Sequence, residues 1–493
     1  MKGVRPLKKN IKECIYMILE NVDNFKELEE EIYQLVCSLV IEKIKEVLKE
    51  IDDVIKDSRD KEIFEIKDMK ERTIKTLFGS ITIKRRYYED PQGNYHYLLD
   101  EYLNLPSNER QSPGLKEAAI KMVKDESYRN SAQKVEELLG VSTSHSAIHN
   151  WVQKLGKKIK KESQQKSSNL FEHGLIPGQS NKKAPIEHLF VEADGIHIHL
   201  QKEEKKSGEL KLGISYEGWE KRHPMSKEYE LSKKIYYGGV FGSDEFWKQT
   251  TADMYEYFKF NENSISILNG DGASWVSTGS EYLPGFSARC LDSFHYSRKI
   301  LRKLGRSSYV PRVFEAIESG DKKTLKNDLK EAKKYRKTKK DKKKIEELKK
   351  YLLNHWEAIQ NHHNRDLGLP EDMRGMGAIE SNIDKVLADR FKKRGMRWSK
   401  EGAENLAHII LADRNNSLEK WFGCINWDFK KEKIKPELET ARQKNTSSLT
   451  SCQKKTASYQ EVFSVNMPAL EGPDAGKDWV KALSGISTSG TVI

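Results

Sequence analysis

Three acidic residues stand where a carboxylate is either costly or closely approachable. Asp194 lies inside LFVEADGIHIHL, a run apolar enough to be a central strand. An ionised carboxylate there demands a compensating cation or hydrogen-bond donors. Asp271 ends the strand-like ISILNGDG, where glycines on both sides let the backbone come close to a ligand. Glu380 opens a helical pattern, GAIESNIDKVLADRF, with Ile379, Ile383, Val386 and Leu387 on its inner stripe. Two carboxylates on strand ends of one sheet, and a third from a helix packed on it, can converge on one point. Hard divalent cations take oxygen ligands of this kind, and Mg²⁺ keeps several waters beside one or two carboxylates. Two such ions about 3.5–4 Å apart can activate an attacking oxygen and stabilise a leaving one at phosphorus. Acids at strand ends also serve as turn formers and caps. Glu192, Asp292, Asp384 and Asp389 are therefore rivals, and Asp384, one turn beyond Glu380, is the nearest.

Other clusters carry weaker signals. His197 and His199 alternate along one strand and so share a face, but no cysteine or third histidine stands at zinc-ligand spacing. His362 and His363, beside Trp356, suit helix packing or surface. Arg390, Lys392, Lys393, Arg394, Arg397 and Trp398 interleave cations with an aromatic ring. Such a set can hold phosphates and stack on a splayed base, or simply form an exposed helix end. The glycine clusters at 238–239 and 270–272 lack the signature of a phosphate-binding loop, so no nucleotide cofactor is expected.

The elements that must position these residues follow from periodicity. Residues 8 to 56 repeat apolar positions at helical spacing, so residues 1–60 are expected to form helices. Their stripe can pack on the chain or on a second copy. Segment 65–110 is expected to hold a β-hairpin: Ile81 to Tyr88 is β-branched and aromatic, Asp90 to Gly93 is turn chemistry, and a second aromatic run follows. Lys84, Arg85 and Arg86 on it can meet phosphates or form a solvated strand face. Within 111–161, a helix from Tyr128 to Leu139, a break at Gly140 and a second helix from Ser144 give helix-turn-helix spacing. That second helix would offer Ser144, His145, His149, Asn150 and Lys154 to a major groove, although plain helical hairpins share the pattern. The polar stretch 162–186 reads as a linker. Residues 187–425 then bring strands at 188–200, 209–216, 234–241, from 264 and at 286–291, with a helix over 243–260, a mixed α/β sheet domain. A helical insertion is expected over 296–368, and residues 430–493 read as a poorly ordered tail.

The bulk composition fits a polyanionic partner. The 493 residues hold 87 Lys and Arg against 75 Asp and Glu, a formal charge of +12. Basic surface gains affinity for nucleic acid by displacing condensed counterions. Residues 321–350 alone carry fifteen basic against six acidic side chains. The five scattered cysteines form no CxxC pair, which fits a reducing compartment. No apolar stretch is long enough to span a bilayer, so a cytoplasmic, nucleoid-associated protein without membrane contact is expected.

The segments VEADG, NGDGA, AIESN and DSFH, the last spanning Asp292 to His295, resemble the DDE transposases of bacterial insertion sequences. The similarity is greatest to the ISLre-type group, related to the Mutator-like transposases. It runs from near Phe78 to the region of Trp398 and Asn405, and includes NIDKVLADRFKKRGMRWS after Glu380. The resemblance implies an RNase H-like sheet with a helical insertion between its last strand and the helix bearing the third acid. It implies Asp194, Asp271 and Glu380 as catalytic metal ligands for two Mg²⁺ or Mn²⁺ ions, with Asp292 and His295 on a [C/D]xxH motif in a supporting role. DNA cleavage and strand transfer at the ends of an insertion sequence, by a dimer or larger assembly, would be the activity. A non-catalytic helix-turn-helix regulator and an RNase H-fold nuclease without strand transfer remain the alternative readings.

Overall fold

The computed structural model describes residues 18, 20, 22–106, 109–178, 184–361, 369–370 and 373–422, with Arg394 described by its backbone alone. The expected tail at 430–493 and His362 and His363 lie outside the described residues. Two compact units emerge, one from the described residues of Met1–Thr73 and Ile81–Glu109, the other from Ile74–Ser80 and those of Arg110–Gly423.

The first unit sets helix α1 (Phe25–Ser58), capped by the Asn24 side chain, beside most of a sheet of order β1 (Glu65–Thr76), β2 (Gly79–Glu89), β3 (Tyr95–His96), the β1–β2 turn at Ile74–Ser80 being counted with the second unit. The hairpin differs from the expected one. The main partner of β2 is the upstream β1, while the second aromatic run yields only the two residues of β3 and the short α2 (Leu98–Tyr102). Nor do its arginines form a phosphate-facing row. Arg85 and Arg72 both grip the buried Asp100 at 2.8 and 2.6 Å, and Arg86 bridges Asp52 and Asp53 of α1. Only Lys84 of the three stays in solvent. Cations consumed by buried carboxylates cannot serve a partner.

The second unit is built on five strands: β4 (His188–His199), β5 (Ser207–Tyr216), β8 (Ile235–Val240), β9 (Ile265–Gly270) and β10 (Phe286–Leu291). Their order is β10-β9-β4-β5-β8, with β5 antiparallel to its neighbours and the β4–β9 and β9–β10 pairs parallel. A small ribbon, β6 (Gly218–Lys221) with β7 (Tyr229–Ser232), lies between β5 and β8 in the chain. Side-chain alternation sorts β4 onto two faces. Leu189, Val191 and Ala193 join the core made with Phe246, Trp247 and Met254 of helix α6 (Ser243–Tyr257). Phe190, Ile196 and Ile198 join the larger core on the opposite face.

That larger core also takes in α3 (Pro113–Val123), α4 (Tyr128–Leu139) and α5 (His145–His173), through Leu115, Val135, Ile148 and Val152. Gly140 ends α4 in the left-handed region and Ser144 caps α5 by accepting the Ala147 N–H. The polar stretch read as a linker from 162 is helical to His173. Its polar groups are one bonded face, with Lys166 paired to Glu256 and Gln164 donating to Glu245 of α6. A buried helix over Lys400–Arg414 passes beneath α5, where a Cβ on Gly156 would meet the Asn405 carbonyl at 2.2 Å.

After β10 come α7 (Ser293–Leu304), α8 (Tyr309–Glu318), α9 (Lys322–Lys334), α10 (Lys339–Asn354) and α11 (Trp356–Gln360), the expected helical insertion, with its own core around Ile300, Val313, Leu325 and Leu348. The chain returns through α12 (Ala378–Ile383), a π turn (Asp384–Ala388) and a last turn (Asp389–Phe391). No helix among the described residues is long and apolar enough to cross a membrane.

Candidate metal centre

The strand register aligns three acids before any helix is considered. Ala193 of β4 pairs with Gly270 of β9, and Gly270 pairs with Leu291 of β10. The next residue on each strand is acidic: Asp194, Asp271 and Asp292. The Asp292 N–H continues the ladder to the Gly270 carbonyl at 2.9 Å. Asp292 then caps α7, accepting the Phe294 N–H at 2.8 Å, and is 1 % exposed.

Two helices add to this edge. The first turn of α7 carries His295, and α12 carries Glu380, with His295 Nε2 and Glu380 Oε2 3.6 Å apart. Ligand atoms of Asp194, His295 and Glu380 all lie within 4.8 Å of one another. Asp271 is outside that tight group; its Oδ1 accepts the Ala273 N–H at 2.8 Å. It is nonetheless near enough for its charge to act on Asp194. His295 Nε2 is buried and makes no hydrogen bond among the described residues. An imidazole nitrogen and two carboxylate oxygens brought this close, one donor unsatisfied, form a set that Mn²⁺ or Mg²⁺ can use.

Electrostatics agree with a site short of positive charge. The Asp194 carboxyl is pushed up to about 6, first by burial, with the charges of Asp271 and Glu380 adding to it and the hydrogen bond from Gly195 N–H and the charge of His295 opposing. Around Asp271 the insertion supplies a cation: Lys299 Nζ sits 3.5 Å from the centre of the Tyr351 ring, and Tyr351 donates to the Asp271 carbonyl at 3.3 Å. Burial lowers the Lys299 pKa, against the opposing pull of Asp271.

The remaining sequence candidates divide sharply. Asp384 and Asp389 point to Lys393 in solvent rather than to the acid row. His197 and His199 are exposed. Ser144, His145, His149, Asn150 and Lys154 form an exposed strip along the start of α5, with His149 edge-on to Tyr128. Arg397 and Lys393 are exposed. Arg390 and Trp398, expected at a DNA surface, are instead buried. Arg390 donates to the Val123 carbonyl and to the Met396 sulfur, stacked over Trp398, whose indole N–H donates to Phe391. An arginine flanked by aromatic residues satisfies an internal carbonyl as readily as an external phosphate.

Glu192 was one rival among several, and its position is the main thing sequence reasoning missed. It shares the Asp194 face of β4, is fully buried, and accepts four hydrogen bonds: Tyr216 Oη at 2.7 Å, Ile379 N at 3.2 Å, Ala378 N at 3.3 Å and Asn269 Nδ2 at 3.4 Å. Burial raises its pKa while the donors oppose the rise. The available signal was the E-x-D spacing, which puts both acids on the side of the sheet that α12 covers.

Comparison with known proteins gives consistent relatives. The profile of the uncharacterised protein family UPF0236 matches residues 18–423. A UPF0236 protein of Caldanaerobacter subterraneus subsp. tengcongensis is 28% identical over 404 residues, 81% of this chain and 79% of its own length, and its name joins eleven locus designations of that strain. Such multiplicity in one genome suggests mobile elements. A UPF0236 protein in the vanSb 3′ region of Streptococcus gallolyticus is 28% identical over 411 residues, 82% of this chain and 86% of its own. The match spans both the acid row and the helices around it, and the chain belongs to the uncharacterised protein family UPF0236.

Proposed function

We propose that this protein is a DDE transposase that cuts and rejoins DNA with divalent metal ions held by Asp194, Asp271 and Glu380. One observation carries the reading: carboxylates from three distant chain segments are brought to one edge of a five-stranded sheet. Two further features support it. Numbered along the chain, the strand order is 3-2-1-4-5 with only the second strand reversed, the arrangement expected of an RNase H-like sheet. The multiplicity of related loci in one genome is what a mobile element produces.

In this reading Asp194 and Asp271 hold Mg²⁺ or Mn²⁺ from the sheet and Glu380 from the helix. Bound ions supply a more acidic attacking oxygen and charge neutralisation at the phosphate. His295 braces Glu380, Asp292 fixes the α7 turn that presents His295, and Lys299 faces the phosphate beside Asp271. The exposed strip on α5 acts as the recognition helix of a helix-turn-helix at the terminal repeats. The basic helices α9 and α10 track the backbone. Joining two ends requires at least two copies.

The test is a labelled duplex carrying the element's terminal repeat, incubated with Mg²⁺ or Mn²⁺. Wild type should release a 3′-hydroxyl and yield joined products, and Asp271→Ala should lose cleavage by about 10³-fold, the weight of several kcal/mol of metal-borne stabilisation. Cleavage that survives in Asp271→Ala refutes the site. Cleavage without joining reduces the protein to a nuclease, and metal-independent binding alone reduces it to a regulator.

A further inference from the structure

We infer that Glu192 is the positioning residue of this centre, tying the start of α12 to β4 so that Glu380 faces Asp194. Its catalytic consequence rests on the metal reading above; its structural content does not.

The start of α12 has no cap of its own. Its N-cap is Gly377, which has no side chain to offer, and the first N–H groups of a helix have no partner within it. Ile379 is 1 % exposed, so water does not substitute at its N–H. Glu192 supplies the missing acceptors, Oε1 to Ala378 N and Oε2 to Ile379 N. The same two oxygens are held from the sheet side by Tyr216 of β5 and Asn269 of β9. The carboxylate is thus fixed to the sheet by two side chains and fixes the helix by two backbone groups.

The lever is short. Glu192 stands two residues before Asp194 on the same face of β4, and the N–H groups it holds are one and two residues before Glu380. A slip of the helix start passes directly to the Glu380 carboxylate, and reactive geometry tolerates little misplacement. All four contacts are donations to the carboxylate. An amide in its place must turn an NH₂ group towards at least one N–H or hydroxyl donor, so Glu192→Gln keeps the volume and breaks the clamp.

Two measurements on the full chain test this. Hydrogen exchange of residues 378–383 should speed up by about tenfold or more in Glu192→Gln, the cost of one broken net hydrogen bond or more. The ladder residues 189–191 and 267–269 should keep wild-type protection. Mn²⁺ affinity, read by electron paramagnetic resonance, should fall about 10–100-fold, as it does when groups orienting a metal ligand are lost. Wild-type exchange in α12 of the variant overturns the inference. Should Glu192→Gln fail to fold, Tyr216→Phe removes one donor at equal volume and must shift both readouts in the same direction; unchanged values there also overturn it. If wild type binds no Mn²⁺ and cuts no DNA, the metal reading falls, while the exchange result still judges Glu192 alone.

Discussion

The two arms of the candidate metal centre are built on different principles. Asp194 and Asp271 are set by a parallel ladder continuous from His188–Ile265 to Ala193–Gly270, in which each residue is fixed by its neighbours. Glu380 sits on six residues of helix followed by a π turn, held at a few points. Those points include Glu192 and Gly377 at its start, Asn382, which accepts from Tyr236 Oη at 2.8 Å, the buried Ile379, Ile383 and Leu387, and Arg390 with Phe391 at its far end. A sheet distributes the task of placing an acid over many weak bonds. A short helical arm concentrates it, so single substitutions far from the chemistry should disturb Glu380 while leaving Asp194 and Asp271 in place.

The far anchor should show the largest effect on stability. Arg390 is 4 % exposed, donates to the Val123 carbonyl and packs over the Tyr128 and Trp398 rings. Arg390→Ala strips a charged hydrogen bond from a buried carbonyl and opens a gap between rings, about 3 kcal/mol or more. Denaturant midpoints should fall accordingly. The salt slope of DNA binding should not change, because a buried guanidinium neutralises no phosphate. A slope reduced by about 0.9 would return Arg390 to the DNA surface.

This residue also marks where sequence reasoning stops. Strand alternation and glycine turns fixed β4, β9 and β10 closely, and with them the acid row, because a period of two leaves few choices of face. Helix caps and breaks likewise located α4 and the start of α5 through Ser144 and Gly140. Burial of charged residues was illegible. Arg85, Arg86 and Arg390 look like a phosphate comb in one dimension, and each is spoken for by a carboxylate or carbonyl at least 15 residues away in the chain. Glu192 failed for the same reason: its helix partners lie 186 and 187 residues on. Polar satisfaction is a tertiary property, and composition does not carry it.

The sheet arm makes the opposite prediction, a gain in stability on losing an acid. The folded-state value for Asp194 is about 6 against an ordinary 3.8, so folding disfavours its ionised form. Below about pH 3 both states are protonated and nothing is lost. As pH rises from there to 6 the unfolded chain ionises first, and the folded state loses stability, levelling off above 6. The ceiling is about 3 kcal/mol, from two pKa units at ~1.4 kcal/mol each. In the presence of EDTA, Asp194→Asn should therefore be more stable than wild type at pH 8, by about 2 kcal/mol, with the advantage gone by about pH 3. A constant difference across that range would mean that the carboxylate is not strained by burial and by its neighbours.

The smallest effect on stability should come from Gly377, and it is the most discriminating between the arms. Its φ of 140° lies where an L side chain is strained, yet a Cβ there would meet Asp292 Oδ1 only at 3.5 Å, an ordinary contact. Space is not the limit; backbone conformation is, at a cost of about 1–2 kcal/mol. The chain can relieve that strain only by rotating the residue that leads into Ala378 and Ile379, the two N–H groups held by Glu192. Gly377→Ala should thus cost only that ~1–2 kcal/mol of stability but lower Mn²⁺ affinity severalfold. Gly395→Ala provides the control: its φ of 63° is also left-handed and a Cβ there meets nothing within 4 Å. It should cost a similar ~1–2 kcal/mol with metal affinity untouched. Equal losses of affinity in the two variants would show that Glu380 responds to general destabilisation, and the distinction between a ladder-held and a clamp-held acid would not survive.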